Sequence, residues 1–78
     1  MTPRLPSLSS RQVIAALKNA GFVDAPRRGK GSHHALVLRA DQPRLVIVPD
    51  RKDIPIGTLR AIIRQAGMTP EEFVQHLG

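Results

Sequence analysis

Apolar residues recur along this chain at two different spacings, and the spacing separates helices from strands. Val13, Ile14, Leu17 and Ala20 form a stripe at helical period. Ser9 before it and Gln12 three residues on make a capping box, with Leu8 and Val13 placed as a hydrophobic staple. Gly21 is suited to end that helix at positive φ. A second stripe of Leu59, Ile62, Ile63 and Ala66 predicts a helix over 58–66, closed by Gly67. A third, shorter helix follows at once, with Thr69 as N-cap, Pro70 at N1, Glu72 at N3, and Phe73, Val74 and Leu77 as its apolar side. Met68 is positioned to staple to Phe73.

Between the first two helices the pattern is that of strands. Phe22 to Ala25 reads as a short one, His34 to Arg39 as a second and Arg44 to Val48 as a third, with a hairpin turn at Ala40-Asp41-Gln42-Pro43. The run from Pro26 to Ser32 has turn chemistry, and Asp50 to Ile56 is a polar connection. The order α-β-β-β-α-α implies an α+β fold, a three-stranded antiparallel meander with helices on one face. Residues 1–8, with Pro3 and Pro6, read as an irregular tail, and 9–78 as one domain.

Composition narrows the classes. The chain has 78 residues and no cysteine, which excludes a disulfide scaffold and a Cys-based zinc module. No stretch approaches the roughly 20 apolar residues of a membrane span, and the first ten residues lack a signal core, so a cytoplasmic protein is expected. The net charge is +6, and it is localised. Residues 27–64 hold nine basic groups against three acids, whereas the remainder is balanced. Such a field suits a polyanion, of which nucleic acid is the commonest. The chain has no Trp or Tyr, and Phe22 and Phe73 both read as core. Recognition of RNA by stacked bases is therefore disfavoured, and backbone recognition by Lys and Arg remains.

Two of the three histidines, His33 and His34, are adjacent and follow the basic glycine loop. Neighbours on a strand point to opposite faces. His34 shares parity with Leu36 and Leu38, which suggests the helix-covered side, and stands as a secondary candidate. His33 shares parity with Ala35, Val37 and Arg39, which suggests the open face and makes it the better candidate for chemistry. Adjacent strand histidines do not readily share an ion, and with no Cys nearby a metal site is not expected. His76, in the last helix, is given no role. Gly29-Lys30-Gly31-Ser32 lacks the frame of a Walker loop. Two readings of it stay open, a phosphate cradle or an ordinary loop with solvated charges.

Gly31-Ser32-His33-His34, then Arg44-Leu45-Val46-Ile47-Val48-Pro49, then Ile54-Pro55-Ile56-Gly57-Thr58-Leu59-Arg60-Ala61-Ile62-Ile63-Arg64-Gln65-Ala66-Gly67 resembles the HicA toxin family in content and order. The resemblance covers roughly residues 9–77. It implies a fold like a double-stranded RNA-binding domain and an mRNA-cleaving toxin, independent of metal or other cofactor, held inactive by a HicB-type antitoxin. It also implies that His33 is the catalytic histidine. A second histidine frequent in the family falls on Arg51 here, so a two-histidine acid–base pair is in doubt and a phosphate clamp is the alternative. The expected phosphate-binding set is Arg27, Arg28, Lys30, Gly31, Ser32, Arg51 and Lys52. A non-catalytic RNA-binding module of the same fold and a protein-interaction module are the other function classes in view.

Overall fold

The first helix begins where its capping residues place it. In a computed structural model, which describes residues 5–25 and 33–78, α1 spans Ser10–Asn19. The Gln12 N–H donates to Ser9 Oγ, and the Ser9 N–H donates to the Gln12 side chain, satisfying two donors the helix leaves unpaired. Val13, Ala16 and Leu17 are buried. Gly21 leaves the helix at φ 103°, a conformation costly for any residue with a Cβ.

The three strands are β1 (Val23–Asp24), β2 (His33–Leu38) and β3 (Arg44–Pro49), ordered β1-β2-β3 and antiparallel throughout. This is the expected meander with small differences at strand ends: β1 lacks Phe22 and Ala25, β2 is shifted one residue earlier at both ends, and β3 takes in Pro49. β1 is shorter than the apolar run, because the Phe22 N–H donates to Leu17 O and its ring enters the core. β2 starts one residue earlier, at His33, because the ladder continues to Pro49 on β3. Proline is tolerated at this strand end, where one missing N–H interrupts nothing further. Burial alternates cleanly along β3: Val46 and Val48 are fully buried, while Leu45 and Ile47 face outward.

α2 (Ile56–Gln65) starts two residues before the predicted Thr58, directly after Pro55, and has no side-chain cap to announce it. α3 (Pro70–Gln75) opens with the expected capping box between Thr69 and Glu72. Helices and sheet close over one core of Val13, Leu17, Leu36, Val46, Val48, Leu59, Ile62, Ile63 and Phe73. Two long-range bonds tie the periphery down. The Ile54 N–H donates to Leu8 O, which holds residues 5–8 beside buried Leu8, and the Asn19 amide donates to His76 O. The fold is α+β, with the helix–sheet–helix order of a double-stranded RNA-binding domain and one added C-terminal helix.

Gly67 follows α2 at φ 75°, and a Cβ there would stand 2.4 Å from Cζ of Arg44. The backbone conformation demands glycine, whereas the guanidinium, at the far end of a flexible side chain, can move aside. Gly67→Ala is expected to cost about 1–2 kcal/mol in urea unfolding, with much the same loss in an Arg44→Ala background because the strain lies in the backbone. Gly57→Ala, with open space around its Cβ, should show no such loss.

Hydrogen bonds from the Thr69 backbone and side chain, aided by the charge of His76, hold the Glu72 carboxyl below its ordinary value of 4.5. A lowered folded-state pKa stabilises the fold above the unfolded-state value, and that contribution fades as pH falls through the folded one. Unfolding from pH 6 to pH 3 should show a loss starting near 4.5 that Glu72→Gln flattens.

Candidate nucleic-acid interface

Where β2 begins and β3 stops, the sheet gathers the candidate residues that belong to different parts of the chain. His33 stands opposite Pro49 and His34 opposite Val48, and both histidines are exposed. His34 lines a cleft of about 330 Å³ with Ser10, Arg11, Ile14 and Asp50, on the side that α1 covers. Strand alternation places His33 on the other face, as parity predicts. Burial along β2 itself does not alternate. Ala35 is buried on the outward face, because its methyl lies between Ala25 on one side and Ile47 on the other.

Ser10 organises the turn that follows β3. Its hydroxyl lies within hydrogen-bond reach of the Pro49 and Arg51 carbonyls, with one proton to donate between them, and accepts from the Arg51 N–H, and its own N–H donates to Arg51 O. Among the described residues it is the one buried polar side chain, and its hydrogen bonds explain how burial is tolerated. The turn is thereby held against the first turn of α1, with Arg51 and Lys52 exposed. Ser9, Ser10, Arg11, Asp50, Arg51 and Lys52 line a second shallow cleft, also of about 330 Å³. Ser7 Oγ donates to the Asp53 carboxylate, so one acid of the turn is engaged away from the basic groups.

The structure thus brings Arg51 and Lys52 of the expected phosphate-binding set to the same end of the sheet as the histidines. Arg27, Arg28, Lys30, Gly31 and Ser32 lie outside the described residues. Arg11 and Ser10 join the site without having been singled out from sequence. Arg11 had a readable signal: a cation in the first turn opposes the helix dipole, and no acid accompanies it there. Ser10 had none, because its partners lie 39 and 41 residues away. Among the described residues no group of three or more His, Asp or Glu is arranged to hold a metal ion, and no helix is long and apolar enough to cross a membrane.

A family model described as HicA toxin of bacterial toxin-antitoxin matches residues 10–68. The chain belongs to the HicA toxin family. No curated protein matches it. The matched span begins at Ser10 itself and closes at Met68, just past the glycine that packs on Arg44. For a HicA toxin the consequence is that the clamped turn, both histidines and the cleft-lining arginines all fall within the family's own segment, while α3 lies beyond it.

Removing the Ser10 hydroxyl strands the Pro49 carbonyl and the Arg51 N–H in a part-buried place, while the Ser10 N–H still serves Arg51 O. Ser10→Ala is expected to lower stability by about 1–3 kcal/mol. Amide hydrogen exchange at Arg51 should accelerate in the same variant, more than at Val46 in the core.

Proposed function

We propose that this toxin is a metal-independent endoribonuclease that cleaves mRNA in the cytoplasm, with His33 as its acid–base residue. The family membership supports a toxin's role, and the observation that carries the finer reading is the placing of His33. It is an exposed imidazole at the end of the sheet, with Arg51 and Lys52 on the turn following its cross-strand partner Pro49. RNA contains its own nucleophile. Attack of the 2′-OH on the adjacent phosphorus forms a 2′,3′-cyclic phosphate and breaks the bond to the 5′-oxygen. The 2′-OH proton must leave, and the departing 5′-oxygen must gain one.

His33 is suited to one of these transfers, since an imidazole ring has one nitrogen that can accept a proton and one that can donate it. A positioned group of this kind contributes on the order of 10²–10⁴-fold. Arg51 and Lys52, with Arg27, Arg28 and Lys30 of the preceding loop, supply the cations that stabilise charge growing on the phosphoryl oxygens. Gly31 and Ser32 immediately precede the histidine and are assigned to the phosphate as well. His34, turned to the helix side, is assigned the bound strand rather than the reacting atoms. The partner that restrains the toxin is a HicB-type antitoxin.

A non-catalytic RNA-binding module is the second reading. It is favoured by Arg51 standing where many relatives of this family pattern have a histidine, which leaves His33 without an imidazole partner on its own face.

Cleavage of a labelled mRNA, with and without EDTA, tests both. His33→Ala is expected to lose at least about 10²-fold in cleavage while keeping its affinity, and EDTA should have no effect. Affinity should fall steeply with added salt. Undiminished cleavage by His33→Ala removes the assignment, and binding without cleavage by the wild type favours the second reading.

A further inference from the structure

The two clefts at the end of the sheet adjoin, since Ser10, Arg11 and Asp50 line both. The one that Arg51 and Lys52 complete has been assigned to phosphate. The other, of about 330 Å³, is completed by His34 and half-buried Ile14, and the cleavage chemistry makes no use of it. Arg11 and Asp50 carry opposite charge, yet they form no ion pair; among the described residues the one ion pair joins Lys18 and Asp24. The clamp holds the backbone on both sides of the gap. Arg11 follows Ser10, and Asp50 lies between Pro49 and Arg51, whose backbone groups Ser10 binds.

These lining groups select among ligands. A bare phosphate is repelled by Asp50, and a metal cation by Arg11. A neutral, flat group with donors and acceptors along one edge suits both charges, and Ile14 with the imidazole of His34 supplies apolar and π surface for its faces. A nucleobase has this chemistry. A platform for several stacked bases needs several rings, which this chain lacks, whereas one pocketed base needs one, and histidine serves. Guanine matches best. Its pairing edge sets two N–H donors side by side for the two oxygens of a carboxylate, with a carbonyl oxygen beside them for a guanidinium. Adenine and cytosine bring one amino group to that edge. The single N–H of uracil lies between two carbonyls, which a carboxylate repels.

We propose that the His34 cleft receives one unstacked base of the bound RNA, with guanine favoured over uracil by Asp50 and Arg11. The sugar–phosphate next to that base falls on the adjoining cleft of Arg51 and Lys52. This pocket requires RNA as the ligand, as proposed above, but does not depend on cleavage by His33.

The test titrates the full chain with four 2′-O-methyl trinucleotides that differ in the middle base and, lacking the attacking 2′-OH, are not cleaved. NMR follows the Ile14 methyl and His34 ring signals. Both should shift, and the guanine oligomer should bind at least about fivefold tighter than the uracil one. Asp50→Asn, which puts a donor in place of an acceptor, should bring the two within about twofold of each other. His34→Ala should weaken all four by about fivefold and keep their order. Arg60→Gln removes an exposed cation from α2 and should leave order and shifts unchanged. Circular dichroism should match the wild type throughout, because Asp50, His34 and Arg60 are all exposed. Shifts confined to other residues overturn the proposal. Equal affinity for all four bases also overturns it and assigns the cleft to the sugar–phosphate backbone. A guanine preference in a toxin that leaves mRNA intact removes the ribonuclease reading and keeps the base pocket, whereas failure of every RNA to bind removes both.

Discussion

The register between β2 and β3 is the constraint on which the remaining features depend. Val46 and Val48 have no exposed surface, and Leu36, opposite Val46, has none either. A slip of one residue would turn these side chains to solvent and bury Leu45 and Ile47 in their place, so the core enforces a single pairing. The same pairing decides which histidine faces which side. His33 and His34 thus inherit their surroundings from residues buried in the core.

Electrostatics and packing meet at one end of that sheet. Ser10 holds the turn after β3 against α1, so that Arg11, from the start of the first helix, and Arg51 and Lys52, from far along the chain, line one shallow cleft. The localised charge is therefore concentrated further by folding. Because the histidines are adjacent on β2, strand alternation sends them to opposite faces. The two faces differ in character, one polar beside α1, the other largely apolar with His33 at its edge, and the turn carrying Arg51 and Lys52 lies at the end of the sheet.

Much of this was readable from local chemistry. The capping boxes at Ser9 and Thr69 marked two helix starts because their partners are three residues away, within the same turn. The faces of His33 and His34 followed from strand parity alone. What escaped notice depended on contacts between distant segments or on missing local cues. α2 begins after Pro55 without a side-chain cap, which concealed its first two residues. Phe22 looked like the first residue of a strand until its amide bonded Leu17 and its ring went to the core. Ser10 resembled any helix-initiating serine, since nothing nearby indicates that its hydroxyl closes a loop of 41 residues.

That closure also has a temporal side. The bonds from Ser10 to Arg51 cannot form until the chain through Arg51 has left the ribosome, and Phe73, fully buried, completes the core later still. Synthesis proceeds at roughly 5–20 residues per second, and domains fold as units. A partly made chain therefore has His33 in its sequence but not the clamped turn that stands at the same end of the sheet. A chain that ends before Arg51 lacks the clamp, and one that ends before Phe73 lacks a side chain from the centre of the core.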